Sequence, residues 1–237
     1  MTYDEVIADL KSYSSKPREF LFNKHGAKGT SWGVKFGDLQ KIRKKIGKDH
    51  RLSLTLYKTG ISDAQYLAGL VADEQKITKT ELQDWAQTAE SSVIIEYAVP
   101  WIAADSGHGW ALGLKWVEDK KDSLQCCGWA TLANEVTLRA DQDLDLSMLE
   151  ILLDKVSTTI SEKENRVRYT MNGFLIAVGC SVEPLSKKAL QIGQKLGKIK
   201  VDMNGTACKT PYAPDYISKA AEKGAIGKKK KMARCYS

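Results

Sequence analysis

The sequence predicts an all-α fold, a superhelix of stacked helical hairpins. Three observations carry this expectation: helix-start signatures recur along the chain, glycines stand where helices would stop, and the apolar residues between those marks fall at helical spacing. A lone hairpin cannot cover its own apolar face. Stacking covers it and leaves a long concave face on which one helix of each hairpin presents side chains. The competing arrangement is an irregular helical bundle.

The elements follow in order. Thr2 and Glu5 match a capping box, in which a hydroxyl and a carboxylate satisfy the free amides of a helix start, and they open a helix over 3–13. A second helix, over 17–25, stops at Gly26. Leu39, Ile42 and Ile46 share the apolar face of a helix over 36–46 that ends at Gly47. Over 50–58, Leu52, Leu54 and Leu56 alternate as in a strand, but Asp49 as a cap and Gly60 as a stop favour a short helix. Leu67, Leu70 and Val71 mark a helix over 62–73, and Thr78 with Glu81 caps another over 79–89 that carries Leu82, Trp85, Ala86 and Ala89. Helices over 92–105, 109–119 and 122–137 hold Trp101, Trp110, Trp116 and Trp129, most of which we read, with Trp85, as core. Ser147 with Glu150 caps a helix over 147–161, and a long apolar one covers 164–181. The last two, over 184–196 and 214–223, stop at Gly197 and Gly224.

Counted in pairs from residue 36, the helices repeat every 30 to 40 residues, the period of helical-hairpin solenoids. Residues 1–200 are expected to form the helical-repeat domain, and 201–237 an extended segment, a short helix and a basic tail.

Composition narrows the function classes. Hydrophobic residues make up 43% of the chain, enough for a packed core. No stretch reaches the roughly 18 to 20 apolar residues of a membrane span, and Met1-Thr2-Tyr3-Asp4-Glu5 lacks the basic and apolar regions of a signal peptide, so a cytoplasmic protein is expected. Cys126, Cys127, Cys180, Cys208 and Cys235 show no spacing suited to zinc and are read as reduced thiols. His25, His50 and His108 lie far apart, which argues against a metal site. "HGAKGTSWG" lacks the Gly-Lys-Ser/Thr ending of a phosphate-binding loop. Lys228, Lys229, Lys230, Lys231 and Arg234 supply five of the formal charge of +7, so the body of the chain is near +2 and its basic end is either a solubilising tail or a mobile arm for phosphates.

Two stretches hold candidate functional residues. In "ENRVRYTMNGFLIAVG", residues 164–179, Arg166, Arg168, Asn172 and Phe174 crowd one helix, and Arg168 and Asn172 share a face. An arginine beside an amide suits phosphate or sugar edges, and equally suits hydrogen bonding between helices. In "AESSVIIEYAVPWIAADSG", residues 89–107, Glu96 sits in an otherwise apolar helix, either on its solvated edge or held in a partly buried site.

The stretch "SWGVKFGDLQKIRKKIGKDHRLSLTLYKTGISDAQYLAGLVAD", residues 31–73, together with "NRVRYTMNGFLIAVG" and the lysine-rich end, resembles the DNA alkylation repair family of alkylpurine DNA glycosylases. The resemblance implies an α-α superhelix of HEAT-like, armadillo-type repeats with a concave basic groove for double-stranded DNA. It implies excision of N3- or N7-alkylated purines by hydrolysis of the N-glycosidic bond, without metal or cofactor, and a monomer is expected. A carboxylate would stabilise the developing sugar cation, a contribution of about 4 kcal/mol for a unit pair near 4 Å. The family's aspartate position falls on Glu96, its tryptophan four residues earlier on Ser92, its arginine near Cys126 and its later tryptophan on Phe174. The resemblance thus leaves three readings: a glycosylase with a rebuilt site, a DNA-holding scaffold without the chemistry, and a protein-binding solenoid.

Overall fold

The structure, a computed structural model, describes residues 1–24, 29–206 and 208–234. His25, Gly26 and Cys235, read above as an isolated histidine, a helix stop and a thiol, lie outside the described residues. The described residues form α1 (Tyr3–Ser12), α2 (Lys16–Lys24), α3 (Phe36–Ile46), α4 (His50–Tyr57), α5 (Ser62–Val71), α6 (Lys79–Thr88), α7 (Val99–Asp105), α8 (Gly109–Val117), α9 (Asp122–Leu138), α10 (Leu146–Thr159), α11 (Asn165–Ser181), α12 (Ser186–Leu196) and α13 (Ala213–Glu222). None of them is long and apolar enough to cross a membrane.

The capping boxes of Thr2 with Glu5 and Thr78 with Glu81 form as the sequence predicts. The third does not. α10 starts at Leu146, where the Asp145 carboxylate accepts the Met148 amide at 2.9 Å. An ionised carboxylate holds free helix amides more strongly than the Ser147 hydroxyl would. The alternating leucines belong to a helix, as expected: Asp49 caps α4, and Leu52 and Leu56 are buried. The helix expected over 92–105 divides in two. A π-helical turn, Ile94–Ala98, precedes α7, with the Val99 amide reaching back to the Ile94 carbonyl. Pro100 has no amide to offer the Glu96 carbonyl, so the α-helical ladder is interrupted at this point.

The hairpins pair one helix later than the sequence count suggested: α4 with α5, α6 with α7, α8 with α9, α10 with α11, and α12 with α13. α3 packs on α1 and α5 instead of pairing with α4. The second helices α5, α7, α9 and α11 therefore lie side by side as an inner row, and the first helices spread over the outer side. Close approach needs glycine. A Cβ on Gly128 of α9 would stand 2.7 Å from the Val117 nitrogen, and one on Gly179 of α11 would meet Ile217 of α13 at 2.3 Å. Trp116 and Trp129 are fully buried in the core beneath the inner row.

The inner helices run in one direction, so their unsatisfied C-terminal carbonyls collect along one edge of the stack. The end of the chain crosses that edge. Gly227 donates its amide to Cys180 O at 3.0 Å, and Lys230 donates its own to Thr137 O at 2.7 Å. Lys229 spends all three ammonium donors, on Val136 O at 2.9 Å, Ser181 O at 2.5 Å and Asp141 at 2.8 Å. Arg234 reaches Ala72 O at 2.8 Å, Asp105 at 2.7 Å and Glu74 at 2.5 Å, while the Ala233 amide takes the other Asp105 oxygen at 2.7 Å. The tail is therefore a strap over the ends of four inner helices. This corrects the expectation of a mobile arm: Lys229 and Arg234 are held within the protein, because carbonyls at helix ends attract cations.

Arg234 and Asp105 expose 4% and 6% of their side chains, so removing the guanidinium strands a buried carboxylate. Arg234→Ala is expected to cost about 3–5 kcal/mol in chemical denaturation. Burial would raise the Glu74 carboxyl, but hydrogen bonds from Lys48 and Arg234 outweigh it and hold that pKa at about 2, below the ordinary 4.5. The stabilisation is full above pH 4.5 and is lost as pH falls toward 2. Hydrogen exchange of the 227–234 amides is expected to quicken through that window.

Candidate nucleic-acid interface

A cavity of 380 Å³ opens on the inner row, lined by Glu96 and Tyr97 of the π-turn, Trp101 of α7, Asn134 of α9, Tyr169 of α11 and Lys230 of the strap. Small residues make the room: Ala130, Ala133 and Gly173 turn no bulk into it. Trp101 stands edge-on to both Tyr97 and Tyr66, at centroid separations of 5.7 and 5.8 Å. Phe36 continues this aromatic row 5.0 Å beyond Tyr66.

Glu96 is buried, 5% exposed, which settles the choice between a solvated edge and a held site in favour of the second. It is not a free carboxylate. Arg166 of α11 grips both oxygens, with Nε 2.8 Å from Oε1 and a terminal nitrogen 2.5 Å from Oε2. The guanidinium also lies over the Tyr169 ring, 4.4 Å from its centroid. Burial pushes the Glu96 carboxyl above its ordinary range, and Arg166 opposes that shift. Together they form a compact, internally compensated dipole.

The other predicted site residues are spread apart. Arg166 is turned to Glu96 instead of outward, because a lone buried carboxylate is costlier than an occupied arginine. Asn172 is buried and donates to Pro211 O at 2.9 Å, so its amide anchors the chain just before α13. Phe174 is fully buried, 5.2 Å from Trp129, and belongs to the core. Cys126 is also buried, with its thiol pKa raised by loss of solvent, which rules out a role as an ionised contact. Ser92 is half-buried beside the π-turn. Arg168, bonded to Asn165 at 3.3 Å, faces a second cavity of 820 Å³ shared with Lys198, Lys200 and Lys209. Pro211 lines both cavities, so the segment before α13 stands as a wall between them. Lys228, Lys230 and Lys231 remain exposed.

Tyr97, Trp101 and Tyr169 were not among the predicted site residues. Tyr97 and Tyr169 adjoin the candidates Glu96 and Arg168 in sequence, but the apolar pattern of residues 93–103 does not show that Tyr97 is exposed while Glu96 is buried.

Removing one partner of the Glu96–Arg166 pair leaves the other charge stranded. Arg166→Ala is expected to destabilise the protein by about 3–5 kcal/mol in urea denaturation. The double variant Glu96→Gln/Arg166→Gln is expected to lose less, since neither charge is then left alone.

Comparison with known proteins gives concordant results. The chain is 29% identical over 225 residues to the uncharacterized proteins Lin0241 of Listeria innocua and Lmo0209 of Listeria monocytogenes, covering 93% of this chain and 97% of each relative. It superposes with a TM-score of 0.88, at 27% identity, on a solved structure described as belonging to a new family of proteins related to the HEAT-like repeat DNA glycosylases with affinity for branched DNA structures. That likeness covers 99% of this chain and 100% of the other. A family model described as DNA alkylation repair enzyme matches residues 6–217, and with the stacked helical repeats already described it establishes that the chain belongs to the DNA alkylation repair family.

Proposed function

We propose that this protein binds DNA of irregular structure on its inner face and holds it without excising bases. One observation carries the reading: both oxygens of Glu96, the carboxylate that the resemblance puts at the family's aspartate position, are hydrogen-bonded by Arg166. Excision of an alkylated purine needs a negative charge beside the sugar as the glycosidic bond breaks. A carboxylate already neutralised at hydrogen-bond distance offers only the residual field of a dipole, which falls off faster with distance than that of a charge. The resemblance puts the family's tryptophan on Ser92 and its arginine near Cys126, and neither a serine nor a cysteine supplies an aromatic face for a sugar or a cation for a phosphate.

Binding asks for less. It needs dispersed cations and exposed aromatic surface, and neither depends on one constellation. Lys230 stands beside the aromatic cavity, while Arg168, Lys198, Lys200 and Lys209 line the cavity on the other side of Pro211. Two adjoining basic sites separated by a wall suit strands that diverge. The structural relative's affinity for branched DNA supports extending the same preference to this chain.

The test is release of 3-methyladenine and 7-methylguanine from methylated duplex DNA, run beside binding of a three-way junction and a linear duplex of equal length. The expected outcome is no base release, with the junction bound more tightly than the duplex at about 50 mM salt. If four to five cations meet phosphates, log Kd is expected to change with log salt by roughly 4 units. Base release by the wild type that disappears in Glu96→Gln would overturn the proposal and make this an excising enzyme.

A further inference from the structure

The strap also bears on the inner cavity. Lys229 and Arg234 point into the protein and are fully engaged, while Lys230, between them, lines the cavity mouth. Its backbone is fixed on Thr137 O at 2.7 Å, yet its ammonium has no partner among the described residues. The Glu96–Arg166 pair is internally compensated, so Lys230 is the uncompensated charge on the lining. The remaining lining is aromatic or small: Tyr97, Trp101 and Tyr169 against Ala130, Ala133 and Gly173.

A ligand matched to those features has a flat aromatic part and one negative charge about a side chain's length away. The volume of 380 Å³ lies at the low end for ligand cavities, which run from about 300 to 1,000 Å³, and it is far too small for a base pair with its backbones. We propose that the cavity holds one unpaired nucleotide of a DNA strand, with its base against Tyr97 and Trp101 and its phosphate on Lys230, and that the strap exists to hold Lys230 there. This rests on the DNA-binding reading above. It adds that the inner face recognises a branch by the unpaired nucleotide, and that the strap's two anchored cations, Lys229 and Arg234, act as positioning residues for the exposed Lys230.

The strap explains why a contact of this kind does not float. A lysine on a free tail would lose conformational entropy on meeting a phosphate, whereas anchors at Lys229 and Arg234 incur that loss during folding. Lys229 and Arg234 are turned onto helix ends, while Lys230 and Lys231 between them stay exposed.

The experiment uses the full chain and a three-way junction with one unpaired 2-aminopurine at the branch point, compared with the same junction fully paired. Wild type is expected to quench the 2-aminopurine fluorescence by stacking and to prefer the unpaired junction. Lys230→Gln is expected to weaken that junction about fivefold and to reduce the salt slope by about 0.9, with an unchanged urea midpoint. Lys231→Gln, one residue along and outside the lining, is expected to leave the preference between the two junctions unchanged. Tyr97→Leu is expected to relieve the quenching.

Binding of both junctions with no quenching, and a Lys230→Gln variant indistinguishable from wild type, would overturn this inference and leave the DNA-binding reading standing. Failure of the wild type to bind either junction at about 50 mM salt would overturn both. Displacement of the 2-aminopurine signal by millimolar deoxyadenosine monophosphate, with the DNA still bound, would assign the cavity to a free nucleotide and overturn the assignment to a DNA strand.

Discussion

The parallel stacking of the inner helices imposes the constraint on which the rest of this molecule depends. Four helices running in the same direction bring four sets of unsatisfied carbonyls to one edge, with their dipoles aligned and their negative ends together. Such an edge has to be solvated or capped. The chain caps it with its own C-terminal cations, Lys229 between α9 and α11 and Arg234 between α5 and α7. In a solenoid each repeat ordinarily touches only its neighbours, and the stack flexes like a spring. A strap that joins residue 234 to residue 72 closes that spring and fixes the spacing of the inner row.

The same need for compensation shapes the cavity. A carboxylate within the inner row, deprived of water, requires a partner, and Arg166 meets it from the next hairpin but one along the chain. The pair thereby ties the π-turn to α11 across α9 and leaves both Glu96 oxygens hydrogen-bonded within the protein. Aromatic residues then dominate what the cavity offers. Beside the paired carboxylate the lining holds flat rings, small residues that give room, and a peripheral cation.

Much of the fold was legible in the amino-acid sequence because helices announce themselves locally. Thr2, Thr78, Asp49, Gly47 and Gly197 act within a turn of their own positions, so their roles could be assigned without knowing what packs where. Where two local signals compete the outcome is less secure. Asp145 displaced Ser147 as a cap, and the missing amide of Pro100 broke a helix whose apolar pattern runs on unbroken. The pairing of helices was displaced by one because hairpin register depends on whether α3 packs back on α1, a contact between residues far apart in sequence.

The sequence by itself determined the class of fold, the family, the placement of most helices and the position of Glu96 as a residue of interest. It could not determine what faces that carboxylate, since Arg166 lies 70 residues away and only the superhelix brings them together. Nor could it separate the structural cations of the tail from the exposed ones, because adjacent lysines are chemically identical until the backbone turns one inward. Asn172 and Phe174, candidates for DNA contact in the sequence, are buried, the first bonded to Pro211 O and the second packed on Trp129. Local interactions are encoded by neighbours along the chain, whereas charge compensation and burial are decided by whatever the fold brings into contact.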